Sequence, residues 1–164
     1  MDDDTTAPLI VVGVDGSPDA DAALHHAVAE ARRRHGRVLA VAACDVPALT
    51  AIDVESIPVN PEEVRESTER RAREHALDVL ADERDVPVDV VARLGRPTPV
   101  LAAAARGADL LVVGHRGRGA FRSALLGSVG LGCVLHAPCP VTVVRAAITD
   151  GGAERARTAA AAGS

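Results

Sequence analysis

Five short apolar runs, spaced by segments of helix length, limit how this chain can fold. They are Leu9 to Val14, Val38 to Cys44, Val86 to Leu94, Asp109 to Val113 and Val141 to Arg145. The runs have strand length, and turn-forming residues bound several of them, as Asp15-Gly16-Ser17-Pro18 does after the first. The segments between most of them carry helix signals. A βαβαβαβαβ order predicts an α/β fold: a parallel sheet with helices on its faces and right-handed crossovers. The core has to match. Of the residues, 48% are hydrophobic, yet there is one Phe and neither Trp nor Tyr. Val, Leu, Ile and Ala must therefore fill it, and such residues suit strands buried on both sides.

The helix signals are local. Ser17 is placed to cap a first helix with Pro18 in its first turn, running to His35 with Gly36 as the C′ residue. Ala22, Ala23, Ala27 and Ala31 give that helix a small-residue face. Asn60-Pro61-Glu62-Glu63 opens a second helix, expected to reach Arg84, with Glu66/Arg70 and Glu69/Arg73 at supportive spacing. Gly95-Arg96-Pro97 leads into a short alanine-rich helix ending near Gly107, and a last helix spans Ser128 to His136. Asp45 to Asn60, with Pro47 and Pro58, reads as a loop.

At 164 residues the chain is expected to hold one domain, residues 8–146. An acidic, flexible start (1–7) and a disordered tail (147–164) are expected to flank it. The net charge of −5 and the lack of a basic stripe with interleaved aromatics argue against a nucleic-acid partner. All 18 basic residues are Arg, which removes P-loop and Schiff-base lysine chemistry. Cys44, Cys133 and Cys139 are odd in number and lack C-x-x-C spacing, so a reducing compartment is expected. With no apolar leader and no apolar run of 18 residues, the expected location is the cytoplasm, away from membranes.

The chemistry concentrates after the fourth run. There Gly114-His115-Arg116-Gly117 is followed by nine residues and then Gly127-Ser128. Glycines let backbone N–H groups approach an anion, and a helix opening at Ser128 adds unpaired donors and a positive dipole end. Arg116, Arg118 and Arg122 lie in the same stretch as His115. The pattern predicts a polyphosphate site, although it is neither a Walker A loop nor a tight G-x-G-x-x-G. Asp15 and Gly114 each follow a strand. If those strands adjoin where the strand order reverses, both motifs face one crevice. His25, His26, His35 and His75 lack ligand spacing and read as non-metal positions, with His35 and His75 on the surface. Cys133 and Cys139 read as small buried hydrophobes. No Ser-His-Asp arrangement can be argued from residue order.

Gly114-x2-Gly117-x9-Gly127-Ser128 resembles the G-2x-G-9x-G-(S/T) signature of the ATP-binding branch of the universal stress protein family. Ile10-Val-Val-Gly-Val-Asp-Gly-Ser17 is similar to that family's first strand and turn. His136-Ala-Pro-Cys-Pro-Val-Thr-Val-Val-Arg145 is similar to its last helix end and strand. The resemblance, covering about residues 8–146, implies a Rossmann-like open sheet of five parallel strands in the order 3-2-1-4-5, and a homodimer. It implies ATP with Mg²⁺ as ligand. Gly13, Val14 and Asp15 would lie at adenine and ribose, and Ala42 and Ala43, where the family often has His-Val, would close over the base. Asp15 is also a candidate for holding Mg²⁺. Backbone groups of Gly114, Gly117, Gly127 and Val129, the Arg116 side chain and the Ser128 hydroxyl would hold phosphates.

On this reading the chain is a nucleotide-dependent stress-response module with an unknown signalling partner. The alternatives are a slow ATPase or phosphotransferase using the same site, and a partner-binding dimer with an empty crevice. The last strand, Val141 to Val144, is apolar and expected at a sheet edge, where pairing with its twin would cover it.

Overall fold

In a computed structural model of the chain, residues 7–45, 60–118 and 126–147 are described. The expectations for the acidic start, for most of the loop after Asp45, for Arg122 and for most of the tail fall outside them. The elements alternate: β1 (Leu9–Gly13), α1 (Pro18–Arg34), β2 (Arg37–Cys44), α2 (Pro61–Val79), β3 (Val88–Leu94), α3 (Pro97–Ala104), β4 (Leu110–Gly114), α4 (Ser128–His136) and β5 (Val141–Val144). The five strands form one sheet in the order β3-β2-β1-β4-β5, and every pairing is parallel. The expected order is the observed one.

Strand alternation sorts the core into two layers. Ile10, Val12, Val38, Ala40, Val90 and Val112 face α1 and α2, meeting Ala23, Leu24, Ala27, Val28 and Ala76. Val11, Val41, Leu111 and Val113 face the other way, against Val100, Leu101 and Cys133 of α3 and α4. The alanine face of α1 packs on the sheet. Ala20 is buried with Ala23, Ala27 and Ala31, while Ala22 is only half-buried. Cys133 is fully buried, and burial pushes its thiol up to about 11, which makes it inert. Cys139 is half-buried instead, and both belong to the α3/α4 layer.

Several boundaries differ from expectation for local reasons. Ser17 caps α1 as predicted, accepting from the Ala20 N–H at 3.3 Å. The left-handed residue at its far end is His35 (φ 53°), however, and Gly36 has another role. A Cβ at Gly36 would stand 2.3 Å from the Pro8 carbonyl oxygen, so this glycine is required by close backbone approach. Asn60 caps α2, accepting from Glu62 N–H at 3.0 Å. That helix stops at Val79, short of Arg84: buried Leu80 leaves the helical conformation, and its carbonyl accepts from Glu83 N–H at 2.7 Å. Likewise β3 starts at Val88, after Pro87, which has no N–H to give a ladder.

The two sheet edges are treated differently. Along β3, Glu69 of α2 accepts from Ala92 N–H at 3.0 Å, and Arg73 donates to the Val90 carbonyl at 3.0 Å. Side chains thus occupy ladder groups that another strand would need. β5 lies at the opposite edge, and all four of its residues are half-buried.

Candidate functional site

Placing β1 beside β4 puts the turn after β1 next to the loop after β4. Ile10 pairs with Leu110 and Val12 with Val112, so Gly13 and Gly114 end neighbouring strands. β1 leads through α1 to β2 on one side, while β4 lies on the other. This is the reversal point at which open parallel sheets bind ligands. A cavity of about 870 Å³ opens there. All the candidate site residues line it: Gly13, Val14 and Asp15 from β1 and its turn, Ala42 and Ala43 from β2, Gly114, Arg116 and Gly117 after β4, and Gly127, Ser128 and Val129 at the start of α4. Its volume lies within the usual range for small-molecule sites.

The β1 turn holds the glycine loop by hydrogen bonds. Asp15 Oδ1 accepts from the Ser17 N–H at 3.0 Å and from the Ser17 hydroxyl at 2.6 Å. Its Oδ2 accepts from Arg118 N–H at 3.1 Å. Asp19, one residue into α1, accepts from Arg116 N–H at 2.9 Å. Gly16 makes the turn possible, with φ at +75°, and the Arg118 guanidinium lies over it. Two loop N–H groups are thereby occupied from within the protein. Remaining donors come from Gly117 and from Ser128, Val129 and Gly130, which have no helical carbonyl one turn earlier.

The last helix begins at Ser128 as expected, and its cap is the residue before. Gly127 is the N-cap, with φ −64° and ψ 153°, and Ser128 is the first helical residue. Gly127 donates to the His115 carbonyl at 2.9 Å, and a Cβ on it would meet that oxygen at 3.1 Å. Ser128 is thus not the cap, and among the described residues its hydroxyl has no hydrogen-bond partner. Gly114 serves packing as well as approach. A Cβ there would lie 2.9 Å from Ala20 N, so α1 could not start where it does.

One wall was not anticipated from sequence. Thr68, Arg71, Ala72 and His75 of α2 also line the cavity. Their helical spacing places them on one face, but no local motif marks that face as part of a site. His75 is tied across to α1, its Nε2 lying 2.7 Å from Asp21 Oδ1, so it is more than the surface residue expected. Val14, Ala42 and Ala43, expected at the base, carry no polar side-chain atom, so polar side chains near them come from α2.

The chemistry offered is binding chemistry. Backbone donors, a helix N-terminus, Arg116, Arg118 and His115 line part of the cavity, and small apolar residues with Thr68, Arg71 and His75 of α2 line the rest. Among the described residues no base hydrogen-bonds the Ser128 hydroxyl, and no group of three His, Cys, Asp or Glu is placed to hold a metal. A second, open groove of about 640 Å³ runs along β3, lined by Arg65, Arg93 and Arg96 among others.

Residues 9–145 match the family model described as the universal stress protein family. A universal stress protein of Thermus aquaticus is 37% identical over 141 residues, covering 83% of this chain and 97% of that protein. One of Mycolicibacterium smegmatis is 39% identical over 142 residues, covering 83% of this chain but 45% of its own length. This chain thus spans about half the length of some relatives it matches. Among solved structures, UspA of Lactobacillus plantarum superposes with a TM-score of 0.62 at 25% identity, covering 84% of this chain and 97% of that one. A universal stress protein in complex with cAMP gives 0.59 at 24%, over 86% and 98% of the two chains. The Arabidopsis thaliana protein At3g01520 with AMP bound gives 0.58 at 20%, over 91% and 99%.

Proposed function

This chain belongs to the universal stress protein family, and from that membership we propose that its crevice binds an adenine nucleotide, with ATP the intended ligand. The observation that carries the proposal is the meeting of the glycine loop, the start of α4 and the Asp15 turn in one cavity. The nucleotides named for two family structures, cAMP and AMP, fit the same reading. The base would rest among Gly13, Val14, Ala42 and Ala43, with the phosphates at Gly114, Gly117, Gly127, Ser128 and Val129. Arg116 would supply positive charge beside them.

Mg²⁺ would arrive on the phosphates. Asp15 is the only carboxylate among the described lining residues, and both its oxygens already accept hydrogen bonds from Ser17 and Arg118. It therefore fits a role in holding the loop better than a role as metal ligand.

The module would signal by occupancy. A terminal phosphate held by Ser128 and Arg116 would fix the loop surface offered to a partner, whereas a shorter nucleotide would not. We propose a homodimer through β5, the edge where no described side chain occupies the ladder as Glu69 and Arg73 do on β3. A monomer by light scattering at micromolar concentration would contradict it. The compartment proposed is the cytoplasm, in keeping with three unbridged cysteines. Among the described residues no helix is long and apolar enough to cross a membrane.

The test is equilibrium titration of the purified chain with ATP·Mg²⁺, AMP and cAMP. Saturable binding with one nucleotide per chain supports the proposal, and ATP should bind more tightly than AMP. Absence of binding by all three would refute it.

A further inference from the structure

Asp19 connects two parts of the protein that the nucleotide reading treats separately. Its Oδ2 accepts from Arg116 N–H, in the glycine loop, at 2.9 Å. Its Oδ1 accepts from Ala146 N–H, just beyond β5, at 2.8 Å. The segments meet again where His115 N–H donates to the Val144 carbonyl at 2.6 Å. An acidic residue in the first turn of a helix is ordinarily explained by the helix dipole. Asp21 occupies the same turn but reaches across to His75 of α2. Asp19 instead gives both oxygens to backbone groups far away in sequence, while Ser17 caps α1.

Position and burial make this link stiff. Asp19 is fixed by α1, and α1 is fixed against β4 because Gly114 has no Cβ. The Asp19 side chain is 16% exposed, so water competes little for its two bonds. Hydrogen bonds to a charged group in such a setting are among the stronger ones. His115 Nδ1 lies 4.0 Å from the same carboxylate, on the loop side.

We propose that Asp19 is a positioning residue joining the glycine loop to the exit of β5, so that ligand bound at the loop is felt at the edge strand. This rests on the nucleotide reading and adds to it a route from crevice to edge. A phosphate that orders Arg116 and Gly117 removes one source of motion from Asp19. Ala146, held by the other oxygen of the same carboxylate, is then held more firmly. The coupling is reciprocal: a partner that fixes β5 and Ala146 should tighten nucleotide binding.

The experiment is backbone amide hydrogen exchange on the wild-type chain, Asp19→Asn and Asp19→Ala, each with and without saturating ATP·Mg²⁺, alongside titrations with ATP·Mg²⁺ and adenosine. In the wild type, ATP should slow exchange at Ala146 at least about threefold. In Asp19→Ala that slowing should vanish, although Arg116 and Ala146 exchange faster even without ligand. Asp19→Asn keeps one acceptor oxygen and should fall between them. The preference for ATP over adenosine should drop about tenfold in Asp19→Ala, with adenosine affinity changed less than twofold. A general loss of stability would instead weaken both ligands and speed exchange throughout the sheet. Ala146 protection by ATP that persists in Asp19→Ala, or is missing in a wild type that binds ATP, overturns the coupling alone. A wild type that binds no nucleotide overturns the nucleotide reading and the coupling with it.

Discussion

Asp15 Oδ2 accepts the backbone N–H of Arg118 at 3.1 Å, joining residues 103 apart in sequence. A Cβ on Gly117 would lie 2.7 Å from that same oxygen. The turn after β1 thus sets the position of the glycine loop, and Gly117 leaves room for the carboxylate that does it.

Replacing Gly117 with Ala should therefore weaken nucleotide binding without unfolding the protein. The new methyl displaces the Asp15 carboxylate and breaks its bond to Arg118. We expect a loss of about 1–3 kcal/mol in ATP affinity, the penalty range for a partner left unsatisfied. Titration checks the affinity and thermal unfolding checks the fold. Asp15→Ala should produce a similar loss by removing the acceptor itself.

Ser128→Ala separates a ligand role from a capping role. Gly127, not Ser128, caps α4, so the substitution should leave stability within roughly 0.5 kcal/mol of wild type. ATP affinity should fall by about 1.5–3 kcal/mol if the hydroxyl donates to a charged phosphate oxygen. Equal ATP affinities in titrations of the two proteins would remove Ser128 from the site.

The end of α1 gives a test of stability away from the crevice. Gly36→Ala drives a Cβ toward the Pro8 carbonyl oxygen, a backbone atom that cannot rotate aside. It should destabilise by at least about 1–3 kcal/mol, as overpacking does. At His35, with φ 53°, glycine or asparagine relieves left-handed strain, and His35→Gly should stabilise by up to about 1 kcal/mol. Chemical denaturation reads both changes, and the variants should differ in sign.

Much of this architecture was legible in the sequence because its signals are local and periodic. The apolar runs, the Ser17 and Asn60 caps and the glycine spacing all depend on neighbours within a few residues. Positions set by distant partners were not legible. Gly36 looks like a helix terminator until Pro8 is found against it, and Gly114 looks like a phosphate glycine until α1 is found packed on it. The α2 wall with Arg71 and His75 is hidden from the sequence for the same reason: its face is defined only once α2 lies beside α1. Asp15 was expected at the ligand, and it lines the crevice while its oxygens hold the loop.

Acid should weaken the fold through the cluster that joins α1 to the segment after α2. His25 lies 2.6 Å from Glu83, and Arg32 bonds both Glu83 and Asp85. The hydrogen bond with His25, followed by that from Arg32, holds the Glu83 carboxyl below its ordinary 4.5. A depressed carboxyl adds stability above its unfolded value and loses it as pH falls through the folded one. The melting temperature should therefore start to drop as pH falls below about 4.5. Glu83→Gln should be less stable at neutral pH and decline less steeply in acid. Because the cluster is solvent-facing, the effect should be small and fade with salt.

Nucleotide is proposed to bind between the Asp15 turn and the start of α4. The most direct measurement is the change in backbone amide resonances of ¹⁵N-labelled protein on adding ATP·Mg²⁺. The largest shifts should fall at Gly117, Ser128, Val129 and Gly130, with smaller ones at Val14, Ala42 and Ala43. Shifts confined to the arginine groove of Arg93 and Arg96, or none at millimolar ATP, would contradict it.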